Sequence, residues 1–138
     1  MPQVLVYSRG GNTRKLADAI AGELGVKAED AKTASLDKGN GILFMGSGCY
    51  GGKPGNEIMQ FIEANDFKGR IVALFGTSAN GHGKQVGIME EALKQKGAKI
   101  LGIYESTGQF IWFVRRGHPN EEDVAGAKKF AIDMSKLG

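Results

Sequence analysis

Four apolar runs in this chain are continuous rather than alternating: Gln3-Val4-Leu5-Val6-Tyr7, Ile42-Leu43-Phe44-Met45, Ile71-Val72-Ala73-Leu74-Phe75 and Ile100-Leu101-Gly102-Ile103-Tyr104. A strand that is apolar on both faces must be covered on both faces, which is the condition of a parallel sheet lying between two layers of helices. Helical periodicity fills the gaps, with Leu16, Ala17, Ile20, Ala21 and Leu24 in the first, Ile58, Phe61 and Ile62 in the second, and Val86, Met89 and Leu93 in the third. Val124, Ala127, Ala131 and Met134 make one more apolar face after the last strand, in a helix that starts near Pro119 with Glu121, Glu122 and Asp123 in its first turn. The segment from Val26 to Asn40 is polar and poor in β-branched residues, so it is expected to add only a weak edge strand. Strands alternating with helices in this way imply an α/β, three-layer, doubly wound fold, and right-handed crossovers leave only a few strand orders open.

Nothing in the composition argues against this. The 138 residues fit one domain. No apolar run approaches the roughly 20 residues of a membrane span, and Met1-Pro2-Gln3 leads into a strand without a leader-like pattern, so a cytoplasmic protein with no membrane insertion is expected. The net charge of +3 is divided as 8 basic and 8 acidic residues up to Gly69 and 10 and 7 beyond it, without the dense cationic runs of a nucleic-acid surface. Cys49 is the single cysteine, which excludes an internal disulfide and a cysteine-based zinc site; neither His82 nor His118 has a second ligand at metal spacing, so no metal is expected.

Glycine is the exception, at 22 residues, and much of it lies at strand ends, where the chain must turn tightly or approach a ligand. Ser8-Arg9-Gly10-Gly11-Asn12-Thr13 joins the first strand to a helix expected from about Asn12 to Leu24, with Gly25 just past its end. Inward-turning N–H groups, the free N–H groups of a helix N-terminus and the hydroxyls of Ser8 and Thr13 make this stretch suited to an anion, with Asn12 or Thr13 available as the cap. Gly46-Ser47-Gly48-Cys49-Tyr50-Gly51-Gly52-Lys53-Pro54-Gly55 follows the third strand, and Gly76-Thr77-Ser78-Ala79-Asn80-Gly81-His82-Gly83 the fourth. In a doubly wound sheet all three emerge at the carboxyl edge, beside the switch in strand order, and together they point to a flat, phosphorylated ligand.

Other ligand chemistries fail on particular residues. The third strand ends Met45-Gly46-Ser47 without the acidic cluster of a phosphorylated receiver, Gly83-Lys84 is followed by Gln85 rather than by Ser or Thr, and no Gly-x-Gly-x-x-Gly opens the first helix. Cys49-Tyr-Gly-Gly-Lys-Pro-Gly55 lacks the arginine of a phosphatase loop, which leaves Cys49 a packing residue.

The phosphate loop, the Gly48-Cys49-Tyr50-Gly51-Gly52 loop, the Phe75 to Gly83 loop and the Gly117-His118-Pro119-Asn120-Glu121-Glu122-Asp123 helix start together resemble the flavodoxin family in its short-chain form, over essentially the whole chain. Its phosphate loop reads approximately Ser/Thr-x-Thr-Gly-Asn-Thr, and this chain departs from it at Gly10. The resemblance implies a five-stranded parallel sheet of order 2-1-3-4-5 and non-covalent FMN, with Ser8, Gly11, Asn12 and Thr13 on the 5′-phosphate, Arg9 and Gly10 in the same loop, and two loops flanking the isoalloxazine. Those are Gly48, Cys49, Tyr50, Gly51 and Gly52, and Thr77, Ser78, Ala79, Asn80, Gly81 and His82.

Charge-assisted hydrogen bonds contribute roughly 1.5–3 kcal/mol each, so the phosphate alone barely offsets the roughly 4–15 kcal/mol lost on immobilising a ligand. The ring must supply the surplus, and Tyr50 is the aromatic residue expected to stack on it. Family behaviour further implies that a Gly-containing peptide, here Gly51-Gly52, turns over to present its carbonyl to the reduced flavin. Low-potential flavodoxins are acidic around the cofactor, whereas Arg9, Lys53, His82, Lys84, Arg115 and Arg116 are set here against Glu57 and Glu105, so a less negative second reduction potential is expected. Trp112 shields the site, covers a partner surface or serves ordinary packing. The function implied is electron transfer between redox partner proteins, ahead of an enzyme with its own substrate. A flavodoxin-type oxidoreductase acting on a quinone or porphyrinogen, its pocket shaped by Ser106 to Gly117, is the alternative, and a flavin-free interaction module a third reading.

Overall fold

A computed structural model describes residues 2–39, 41–78, 84–107 and 121–137, with side chains described throughout except at 106, 107 and 121–123. The elements run β1 (Gln3–Tyr7), α1 (Asn12–Leu24), β2 (Ala28–Asp30), β3 (Leu43–Gly48), α2 (Asn56–Ala64), β4 (Ile71–Ser78), α3 (Gln85–Gln95), β5 (Lys99–Thr107) and α4 (Glu121–Leu137). The strands form one parallel sheet of order β2-β1-β3-β4-β5. The sheet reverses direction of growth at β1, which puts the first βα turn between β2 on one side and β3 on the other.

Alternate residues of each central strand face opposite layers. Leu5, Leu43, Met45, Val72 and Leu74 pack with Ile58, Phe61 and Ile62 of α2 and Val86, Met89 and Leu93 of α3. Val4, Val6, Phe44, Ala73 and Phe75 pack with Leu16, Ala17 and Ile20 of α1 and Ala127, Phe130 and Ala131 of α4. Two apolar layers thus cover the sheet, as the continuous apolar runs require. Among the described residues no helix is long and apolar enough to cross a membrane.

Three strands outlast their apolar runs. β3 continues through Gly46, Ser47 and Gly48, β4 through Gly76, Thr77 and Ser78, and β5 through Glu105, Ser106 and Thr107. Stretches read as loop from hydropathy are therefore strand, because ladder pairing (Ser47↔Gly76, Gly48↔Thr77, Thr77↔Ser106) depends on the backbone and carries on after the side chains turn small and polar. Ser106 and Thr107, expected to open an irregular stretch, are strand for the same reason, and residues 108–120 lie outside the described set. Neither Asn12 nor Thr13 caps α1: the cap position is Gly11, at φ 83°, and no side chain bonds the free N–H groups of the first turn. Lys15 N donates to the Gly11 carbonyl, the first backbone bond of a helix that begins at Asn12 as expected.

Gly46 illustrates how tightly the sheet and its covering layer fit, since a Cβ there would lie 2.1 Å from the Phe75 ring. Replacing Gly46 by Ala should lower unfolding stability by roughly 1–3 kcal/mol through overpacking. Gly87 in α3 has open space around it, and its change to Ala should raise stability by roughly 0.5–1 kcal/mol. Urea unfolding midpoints of the two variants check both signs.

Candidate functional site

β1, β3 and β4 end side by side, and the turn from Ser8 to Gly11 brings the start of α1 back across their ends. Thr13, in the first turn of α1, is buried, and its Oγ1 lies 2.6 Å from Oγ1 of Thr77 near the end of β4. This hydroxyl pair fixes the helix start to the sheet. Either atom can donate, so one proton of the pair is left for something else. Ser8, Gly11 and Asn12 are half-buried, while Arg9 and Gly10 are exposed.

Two buried side chains brace this edge. Ser47 Oγ accepts the Gly55 N–H at 3.0 Å and donates to the Gly48 carbonyl at 2.8 Å, setting the path of the loop after β3. Gln85, the first residue of α3, donates through Nε2 to the carbonyls of Ser47 at 3.2 Å and Thr77 at 3.0 Å, tying α3 to the ends of both strands. Neither residue was singled out as a site residue from the sequence. The available signal was a polar residue beside apolar ones at a strand end or helix start, which many solvent-facing residues share.

The loop after β3 closes on itself. Tyr50 N donates to Lys53 O at 2.8 Å and Lys53 N to Tyr50 O at 3.3 Å, with Gly51 at φ 65° and Gly52 at φ 81° between them. Two central residues at positive φ are the signature of a type I′ turn, which glycine alone adopts at little cost. Cys49 is half-buried with a free thiol.

Tyr50 leans toward the first loop. Its hydroxyl accepts the backbone N–H of Arg9 at 2.8 Å, the Arg9 guanidinium lies 4.4 Å from the ring centroid, and Tyr7 meets the ring edge-on at 5.9 Å. Burial pushes the phenol above its ordinary pKa, against the opposing pull of the Arg9 N–H. The Tyr7 hydroxyl holds the exposed Arg9 more firmly cationic, and Glu57 acts in the same direction more weakly. Of the other cations expected around the site, Lys53 and Lys84 are described and exposed.

The structure therefore brings Arg9, Thr13, Gly48, Tyr50 and Thr77 together, with Gly51 and Gly52 in the adjoining turn. Ser78 ends β4 at the same edge, half-buried. Ala79, Asn80, Gly81 and His82 lie outside the described residues, as do Trp112, Arg115, Arg116 and His118.

The Flavodoxin domain family model matches residues 3–105, which takes in the first two loops, the whole of β4 and α3, and most of β5. The chain belongs to the flavodoxin family. Among individual relatives, it is 32% identical over 136 residues to an uncharacterized protein of Methanocaldococcus jannaschii, covering 91% of each chain. It is 28% identical over 112 residues to a flavodoxin of Nostoc sp., covering 71% of this chain and 66% of that one. In three dimensions it superposes on the oxidised flavodoxin 1 of Bacillus cereus with a TM-score of 0.76 at 21% identity, over 99% of this chain and 98% of that one, which establishes the shared fold.

Flavodoxin-family proteins bind FMN. The residues present here fit such a group at its phosphate end. The α1 N-terminus has no side-chain cap and no acidic residue in its first turn, and a Cβ placed on Gly11 would have nothing within 4 Å. A Cβ on Gly48 would strike the Tyr50 hydroxyl at 2.7 Å and approach Thr13 Oγ1 at 3.4 Å. Uncommitted N–H groups, hydroxyl donors and an open cradle are the chemistry a phosphate monoester needs.

The type I′ reading of Gly51-Gly52 makes both positions sensitive. Gly51→Ala and Gly52→Ala should each cost about 1–2 kcal/mol, the left-handed penalty of a side-chain-bearing residue, as measured by chemical denaturation of the protein without added ligand.

Proposed function

We propose that this flavodoxin-family chain binds FMN non-covalently at the carboxyl edge of its sheet and carries electrons between redox partner proteins. One observation carries the reading: an uncapped helix N-terminus entered through left-handed Gly11 lies against paired buried hydroxyls, Thr13 and Thr77, at the ends of β1, β3 and β4. The 5′-phosphate would be held by Ser8, Gly11, Asn12 and Thr13, with Arg9 and Gly10 in the same turn. The isoalloxazine would lie between the turn of Gly48, Cys49, Tyr50, Gly51 and Gly52 and the segment of Thr77, Ser78, Ala79, Asn80, Gly81 and His82. When bound, the flavin supplies the redox chemistry. The chain's own residues bind it, orient it and set the charge around it.

Helix N–H groups favour the phosphate dianion most strongly within the first turn, and the hydroxyls fix its orientation without adding charge. Gly51 and Gly52 allow the peptide between them to invert, because neither carries a Cβ that would oppose the change in φ. Arg9, Lys53 and Lys84 reduce the repulsion that an added electron meets.

Purified protein should absorb in the visible as a flavoprotein, or should do so after FMN is added, and should release FMN on denaturation. A colourless protein that leaves added FMN unbound would refute the proposal. Lys53→Glu and Lys84→Glu should each move the second reduction step to a more negative potential, the shift shrinking as salt is raised; spectroelectrochemical titration measures it.

A further inference from the structure

We propose that the Tyr50 hydroxyl is itself a phosphate-binding group of this site, donating its proton to a phosphate oxygen while its own oxygen accepts the Arg9 N–H. The inference rests on the FMN reading above and deepens it, for it assigns Tyr50 through its oxygen rather than through its ring.

The geometry is specific. The phenol oxygen is 2.8 Å from the Arg9 amide nitrogen, in the middle of the turn that leads into α1. It shares with Thr13 Oγ1 the space over Gly48, since both lie within 3.4 Å of the point a Cβ there would occupy. The side chain is held on two sides, by the Arg9 guanidinium 4.4 Å from its ring centroid and by Tyr7 edge-on at 5.9 Å. A hydroxyl oxygen that accepts one hydrogen bond still has a proton to give, and among the described residues that proton has no acceptor. A tyrosine phenol carries its proton at neutral pH, and burial pushes its pKa further up. A phenol so held is a donor fixed beside the turn, and the cationic guanidinium over its face adds to the attraction for a dianion.

The loop also has a vacancy for this donor. Gly10 brings no side chain, and a Cβ on it would meet only Asn12 Nδ2, at 4.0 Å. The chain thus has no hydroxyl at position 10 of the turn, and Tyr50 carries one across from the neighbouring loop.

Removing the oxygen while keeping the ring separates the two roles of Tyr50. Flavin-freed native protein, Tyr50→Phe and the double variant Gly10→Thr/Tyr50→Phe are titrated with FMN and with riboflavin by flavin fluorescence. Inorganic phosphate binding is followed through backbone amide shifts of residues 8–13. Tyr50→Phe should weaken FMN and inorganic phosphate by about 10- to 100-fold, the loss of one hydrogen bond to a charged group, and leave riboflavin unchanged. Gly10→Thr should recover part of that loss. Equal or tighter phosphate binding in Tyr50→Phe would overturn the proposal, as would parallel losses for FMN and riboflavin, or no gain from Gly10→Thr. Native protein that binds inorganic phosphate but not FMN, with the same Tyr50→Phe loss, would end the FMN reading and uphold the Tyr50 assignment. Native protein that binds neither would end both.

Discussion

The contact between Thr13 and Thr77 holds the functional edge in register. α1 packs along one face of the sheet through Leu16, Ala17 and Ile20, but apolar packing has little directional preference and would tolerate some sliding along the helix axis. A buried hydroxyl pair at 2.6 Å does not, because moving either partner costs a buried polar group its hydrogen bond. The position of the helix start is therefore set by a side chain of β4, two strands away from β1 in the sheet. Gln85 extends the same logic to α3 by donating to carbonyls of both β3 and β4. Two helices are thus referenced to the ends of β3 and β4.

Much of the architecture was legible because it follows from where apolar atoms must go. Continuous runs such as Ile71 to Phe75 demanded cover on both sides, and the intervening periodicities supplied it, so the layers, the strand order implied by family resemblance and the weak β2 all agree with the structure. Strand ends were harder to read. Gly46-Ser47-Gly48 and Gly76-Thr77-Ser78 have the composition of loops, yet both are paired strand. Hydropathy reports burial of side chains, whereas a ladder is held by backbone groups that every residue but proline has.

The site was legible at the level of segments and less so at the level of atoms. Gly11 and Thr13 stood out because a glycine pair and a hydroxyl residue fall between an apolar strand and a helix start, where Gly11 takes positive φ and Thr13 meets Thr77. The cap was misassigned to Asn12 or Thr13: sequence preference assumes a helix start facing water, and here Thr13 turns inward to the sheet. That Tyr50 reaches Arg9 across 41 positions depends on a closed Gly51-Gly52 turn and on the ring of Tyr7, a tertiary arrangement that no local pattern records.

The strands that outrun the core divide the molecule into two territories. Burial of large apolar side chains ends near Met45 and Phe75, while the sheet goes on for several more rungs built of glycine, serine and threonine. Those rungs are secured by ladder bonds and by Ser47 and Gln85, with Gly46 and Gly76 lying close against Phe75 and Val86. Whatever occupies the edge consequently meets a polar rim before it meets the hydrophobic interior.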